Sequence, residues 1–464
     1  MSVPNWIQDA IFYQIFPDRF YNGNLHNDPE NVQRWGIKPT IWGFQGGDLD
    51  GVIQKIDYLV DLGINAIYLN PIFYASSTHR YDTIDYFQID PKLGDLTTFK
   101  RLIEIAHRNE LKIILDGVFN HTGRGFFAFN DLLENNENSP YRFWYHVYHF
   151  PIDAYGPEKA KDYAAWWGYK SLPKLNTEHS PVRKYLFSVA KYWLEQGADG
   201  WRLDVPNEID DDGFWYEFRK QVHAINPEAY IVGEIWDGNP RWVGERHFDA
   251  LMNYPLRESL FEFLHKEKTS VQFGQKIDQL LSSYPSEHIF AMFNILGSHD
   301  TVRIMNILNQ KIALVKLAYL FVFTFPGAPV IYYGDEIGTT GEKDPDCRKA
   351  FDWDQDHWNM DIRNFLKKLI QLRRVFPILR RGEYIPLPSE ENDLIFCFAR
   401  RDSRKSFIQV LNVSSEYQFV SIQIDNLGLK AGTRLNNLLG EEQVETDGKT
   451  LIFSIPAQTG YLLH

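Results

Sequence analysis

Eight short apolar runs recur along roughly the first 380 residues, and stretches of helix length separate most of them. They are AIFYQIF from Ala10, INAIYL from Ile64, LKIILDGVF from Leu111, ADGWRLDV from Ala198, AYIVGEIW from Ala229, HFDALMN from His247, IFAMFNIL from Ile289 and PVIYYGDE from Pro329. Strands covered on both faces read as such near-continuous apolar runs, and parallel strands need a crossover between them. Residues 49–63, 97–110 and 182–197 supply crossovers. Their apolar positions fall at helical spacing, and Gly63 closes the first as a C-cap. Eight strand–helix units in this order predict a closed (β/α)8 TIM barrel, an α/β fold, over residues 1–119 and 177–382.

Two regions break the rhythm. Residues 120–176 hold no such unit and are rich in Trp, Tyr, Asn and Pro. A structureless loop of that length is not expected inside a compact domain, so an inserted subdomain after the third strand is predicted. After Gly382 the runs become short and β-branched (DLIFCFAR, SFIQVLNV, FVSIQI, LIFSI, GYLLH), which predicts a C-terminal antiparallel β-sandwich over residues 383–464. Residues 312–333 are apolar over the length of a membrane span. Lys316, Pro326, Gly327 and Pro329 interrupt them, so a helix, a turn and a buried strand are predicted instead.

Composition narrows the partners. The chain of 464 residues has a net charge of −13, which argues against a nucleic-acid or anionic-membrane partner. Two cysteines, Cys347 and Cys397, exclude a disulfide framework. The N-terminus MSVPNWIQDA has no basic region followed by an apolar run, so no secretory signal is read and the cytoplasm is expected. Aromatic residues make up 15% of the chain, in keeping with flat ligands such as sugar rings.

Barrel enzymes carry their chemistry at the C-terminal ends of strands. Here the third strand ends in Asp116 and runs on to Asn120 and His121, and the fourth ends in Arg202 and Asp204. The fifth ends in Glu234 followed by Trp236, and the seventh is followed by His299 and Asp300. Arg202 and Asp204 are two apart on a strand and so share a face, where the guanidinium would favour an ionised carboxylate. Glu234 lies on the next strand, ~4.8 Å away. Two carboxyls could therefore approach to ~5 Å, the spacing of retaining glycoside hydrolysis, in which one acid attacks and the other shuttles the proton. Burial and a neighbouring anion would keep Glu234 protonated as the acid.

The stretches DGVFNH (116–121), LPKLN (172–176), GWRLDVPNE (200–208), GEIW (233–236) and SHD (298–300) occur in the order found in the α-amylase family of glycoside hydrolases, which the chain therefore resembles. The resemblance implies a barrel with an insert after strand three and a C-terminal β domain. It implies Asp204 as nucleophile, Glu234 as general acid/base and Asp300 as transition-state stabiliser. Asp116, His121, Arg202 and His299 would surround the reacting sugar, and Tyr81 would stack on it. Trp236 would join the substrate-binding residues, and Asp344 and Arg348 would bind a sugar further toward the non-reducing end. DAIFYQIFPDRF (9–20), HRYDTIDYF (79–87) and VPNE (205–208) are similar to the cyclomaltodextrinase, neopullulanase and maltogenic amylase subgroup. That implies hydrolysis of α-1,4 and α-1,6 bonds in cyclodextrins, pullulan, maltooligosaccharides or branched glucans. The alternatives are transglycosylation on the same scaffold and an inactive glucan-binding relative.

The chain departs from the subgroup in three places. The subgroup's N-terminal domain, which roofs the partner's site in a homodimer, is expected to be missing ahead of Ala10. The cleft should then be more open, and the homodimer is left in question. Pro206 stands where alanine is common, a hint of debranching ability. The reaction needs no cofactor, but the resemblance implies a structural calcium on Asn22, Asn24, Asn27, Asp28, Gly46 and Asp48. Asn24 there replaces an aspartate, which would weaken the ion's hold.

Overall fold

The computed structural model describes residues 3–387, 392–403 and 405–464; the start of the N-terminal reading, Met1 and Ser2, lies outside them. All eight apolar runs form strands: β1 (Phe12–Ile15), β2 (Ala66–Leu69), β3 (Lys112–Gly117), β4 (Gly200–Leu203), β5 (Tyr230–Gly233), β6 (Ala250–Leu251), β7 (Phe293–Ile295) and β8 (Ala328–Tyr332). They pair in parallel in chain order, β8 returns to β1, and a parallel bridge between Met252 and Phe293 closes the ring between β6 and β7. Their side chains are buried on both faces, which is why these segments do not alternate.

The crossovers follow the reading with two differences. Residues 49–63 form two helices, Leu49–Gln54 and Ile56–Leu62, rather than one. The break falls at Lys55 (φ −109°, ψ 11°), whose ammonium lies 4.0 Å from the Tyr21 ring centroid and 4.1 Å from that of Trp353. Gly63 ends the pair with φ +94°, as its C-cap signal predicts. Between β5 and β6 there is no α-helix, only the short turn Pro240–Trp242, because Pro240 and the flanking Gly238 and Gly244 leave no room for one.

Residues 120–176 form a compact excursion with one helix, Phe127–Asn135, and isolated antiparallel bridges. One of these, His121–Lys174, joins its two ends to each other, and Tyr145–Leu175 ties its middle to the second end. Beyond the barrel, Glu383–Pro386, Ile395–Arg401, Ser406–Asn412 and Gly460–Leu463 form an antiparallel sheet in that order. The antiparallel pair Gln418–Gln423 and Thr450–Ile455 shares a core with it, including Cys397, Ile408, Val410, Val420, Ile422 and Leu451.

The apolar stretch read as helix, turn and strand is that: helix Ile312–Thr324, then β8. No described helix is long and apolar enough to cross a membrane. The helix is apolar all round because it is covered all round. Phe321 meets Phe396 and Phe398 of the β domain, Thr324 donates to Gln409 Oε1 at 2.9 Å, and a Cβ added at Gly460 would lie 2.3 Å from Leu320.

Candidate active site

The C-terminal ends of β3, β4 and β5 meet at one guanidinium. Register sets Asp116 beside Arg202, and Arg202 beside Val232, across three adjacent strands. Arg202, fully buried, donates through Nη1 to Asp116 Oδ1 at 2.8 Å and to Asp204 Oδ1 at 3.2 Å, and its Nη2 lies 2.8 Å from Glu234 Oε1. The shared-face expectation for Arg202 and Asp204 therefore holds. Arg202 pulls Asp204 toward its ionised form, as expected, but it is not the largest influence on that carboxyl. Burial outweighs it, and with Glu234 and Asp116 close by the Asp204 carboxyl titrates above its usual range. Burial raises Glu234 as well, against the pull of Arg202. Two buried acids sharing one cation compete for a proton and titrate as a pair. The Val205 N–H and the Tyr254 hydroxyl, each 3.4 Å away, face the Glu234 oxygens. Val205 holds φ +36°, a rare conformation for a β-branched residue, at the point where the chain leaves β4.

A second network leads from Asp116 to Asp300. The Tyr68 and Tyr81 hydroxyls both donate to Asp116 Oδ2, at 2.6 and 2.9 Å. The Tyr81 hydroxyl also lies 2.6 Å from His299 Nε2, with the two rings stacked at 5.4 Å. On its other edge His299 Nδ1 faces the side-chain amides of Gln14 at 2.9 Å and Asn70 at 3.1 Å. Both are oriented as donors, so Nδ1 accepts and the proton sits on Nε2, 2.9 Å from Asp300 Oδ2. Asp300 opens to the cleft with a third of its side chain exposed. Burial works to raise its pKa, but His299 and the Arg348 guanidinium hold the carboxyl below its usual range. Arg348 bridges Asp300 at 3.0 Å and Asp344 at 3.1 Å.

Two predicted residues flank this cluster. Trp236 stacks on Tyr254 at 4.0 Å with its face open to the cleft. His121 is fully enclosed, and burial pushes it down to about 3, so the ring is neutral. Its Nδ1 faces the Asn120 amide at 3.2 Å, while Nε2 is buried without a protein partner.

The proposed calcium residues gather apart from the acids, in the segment after β1. Asn22 Nδ2 sits against both Asp28 oxygens at 2.9 and 3.0 Å, where a cation would sit, and the side-chain oxygens of Asn22 and Asn27 are buried with no partner. Gly46, at φ +83°, borders the same cradle, and a Cβ there would lie 2.4 Å from Asn22 Nδ2 and Asp28 Oδ1. These oxygen donors fit a hard cation. Two of the six are engaged otherwise. Asp48 caps the helix Leu49–Gln54, accepting from Gly51 N–H at 2.6 Å, and the Asn24 side chain accepts from His26 N–H at 3.1 Å.

Sequence reasoning missed Gln14, Tyr68, Asn70 and Tyr254. Gln14 is the one amide in an otherwise apolar first strand, and Asn70 closes INAIYL; a lone polar residue at an inward position was the available signal.

A barrel with an acid cluster at its strand ends, an excursion after β3 and a C-terminal β domain defines a glycosidase class. The model of the α-amylase catalytic domain matches residues 14–373, and the chain belongs to the α-amylase family of glycoside hydrolases. Within it the chain is cyclomaltodextrinase- and neopullulanase-like. It is 43% identical over 466 residues to a cyclomaltodextrinase of Geobacillus thermopakistaniensis, covering all of this chain and 78% of that one. The debranching enzyme of Nostoc punctiforme superimposes with a TM-score of 0.91 at 38% identity, covering 100% of this chain and 99% of that one. The cyclic α-maltosyl-(1→6)-maltose hydrolase of Arthrobacter globiformis does so at 0.90 and 34%, covering the whole of both chains.

Proposed function

We propose that the protein hydrolyses α-1,4 and α-1,6 glucosidic bonds in cyclodextrins, maltooligosaccharides and branched glucans, with retention of configuration. The observation that carries this reading is Arg202, one buried guanidinium reaching Asp116, Asp204 and Glu234 from three successive strands. The names of the relatives, among them a cyclodextrin-degrading and a debranching enzyme, supply the substrate class.

In this reading the Asp204–Glu234 pair enters the reaction with one proton, held by Glu234. Glu234 gives it to the glycosidic oxygen while Asp204 attacks the anomeric carbon. The leaving sugar departs, and water, deprotonated by Glu234, cleaves the glycosyl–Asp204 ester. Arg202 offsets the charge of Asp204 before attack and after release. Asp300, kept ionised by His299 and Arg348, accepts from ring hydroxyls and favours the positively charged transition state. The neutral His121 presents a free buried N–H edge to the same sugar, and Tyr81 offers its ring. Pro206, opening a short turn after the strained Val205, shapes the leaving-group side, where α-1,4 and α-1,6 acceptors differ.

Asn22, Asn27, Asp28 and the Gly46 backbone would hold a calcium that braces the segment after β1 without touching the reaction. Both cysteines are free and buried, which supports a reducing compartment such as the cytoplasm. The test is NMR of fresh product from pullulan and β-cyclodextrin: the α-anomer is expected first, and initial β-anomer rejects the two-step route.

A further inference from the structure

A second concave surface opens beyond His121. Trp236 follows β5, whereas this surface is built from the segments after β1 and β3. It is a cavity of about 730 Å3 between Trp42 on one side and Lys159, Trp167 and Tyr169 on the other. That volume lies in the range of small-molecule sites, ~300–1,000 Å3.

Two features are costly unless something binds. Trp42 and Trp167 are 77% and 69% exposed, which is unusual for the largest apolar side chain. Trp167 also sits at φ 50°, ψ 17°, a left-handed conformation that disfavours bulky residues. Hydrogen bonds impose it: Gly168 N–H to Ala165 O at 3.0 Å, Tyr169 N–H to Trp166 O at 3.0 Å and Ala160 N–H to Gly168 O at 2.8 Å. Strain held by the surrounding fold is characteristic of functional sites. The loop bearing Trp42 is equally fixed, by Arg19 Nη2 to Gly43 O at 2.6 Å and Thr78 Oγ1 to Ile41 O at 3.3 Å.

A chain of stacked rings leads from this surface back to His121. His121 stacks on Trp166 at 5.7 Å, and Trp166 on Trp167 at 4.7 Å with the planes 8° apart. Trp166 Nε1–H is buried and lacks an acceptor within the protein. Indole faces complement the C–H faces of pyranose rings, while Arg124, Glu158 and Lys159 offer the cavity both donors and acceptors for hydroxyls.

We propose that Trp42 and Trp167 form a distal subsite that grips glucosyl units of the same glucan whose scissile bond lies at Asp204 and Glu234. The subsite selects longer chains over short ones. It rests on the glucan-hydrolase reading above, and the experiment separates the two. Measure kcat/KM on maltotriose and maltoheptaose for the wild type, Trp42→Ala, Trp167→Ala and, as an exposed aromatic control far along the chain, Tyr417→Ala. The ratio of maltoheptaose to maltotriose should fall about tenfold in each tryptophan variant, the usual effect of losing one large aromatic contact, and hold in the control. An unchanged ratio overturns the subsite, and so does a Trp42→Ala variant that instead converts a dimer to a monomer. Trp167→Gly, which accepts the left-handed backbone, guards against misfolding and should repeat the effect of Trp167→Ala. In parallel, titrate maltoheptaose into Glu234→Gln with and without Trp42→Ala by calorimetry. Weaker binding in the double variant supports the subsite even where the wild type turns over neither sugar, an outcome that sinks the hydrolase reading alone. Equal binding sinks the subsite.

Discussion

At the scale of single residues the site is a charge balance. Arg202 is fully buried and pairs with three carboxylates, so its loss leaves them without a cation. Arg202→Met should lower stability by about 3–5 kcal/mol at pH 7. The pH dependence has a definite sign. Without the cation the Asp204 and Glu234 carboxyls rise further above their unfolded values, the folded state binds more protons than the unfolded one, and stability falls as pH rises. Thermal melts should therefore show a deficit that shrinks toward pH 4; a deficit independent of pH refutes the balance. Glu234→Gln removes the transferable proton and should lower kcat by about 10²–10⁴ with a near-native melt. The four acids and Arg202 were legible because each ends or follows an apolar run. Gln14 and Asn70 left only the signal of a lone polar residue beside an apolar run, and Tyr254 left none, since the fold rather than local sequence brings it to Glu234.

At the scale of elements, all eight strands were legible, because strands buried on both faces leave an unbroken apolar signature. The interruption at Lys55 was not, because neither Pro nor Gly stands at Gln54, Lys55 or Ile56 to announce it. The absent helix between β5 and β6 was signalled by Gly238, Pro240 and Gly244. The cradle after β1 offers a test at this scale. Chelation by EDTA should lower the melting temperature by a few degrees, as loss of a ligand at about 100 times its Kd removes about 2.7 kcal/mol. Gly46→Ala, whose methyl would fill the cradle, should melt low from the start and ignore EDTA. A Gly46→Ala protein still sensitive to EDTA places the ion elsewhere.

At the scale of the whole molecule, activity requires one proton on the Asp204–Glu234 pair. It should fall at low pH as the second carboxyl is protonated, and at high pH as the raised acid loses its proton. A kcat/KM flat from pH 4 to 8 contradicts this. The β domain is equally tied to the barrel: the Arg400 guanidinium, fully buried, donates to the Thr324, Leu379 and Gly382 carbonyls. A chain ending at Gly382 should bind hydrophobic dyes and precipitate; a soluble, dye-silent fragment contradicts the coupling.

The helix Ile312–Thr324 carries one more implication, for the order of events during synthesis. The part of its surface that meets the β domain is covered by strands that leave the ribosome about 80 residues later, a wait on the order of 4–16 s at ordinary elongation speeds. Through that interval an oily segment stands bare on a nearly finished ring. Translation pace and chaperone supply, more than final stability, should then govern how much of this protein a cell recovers intact.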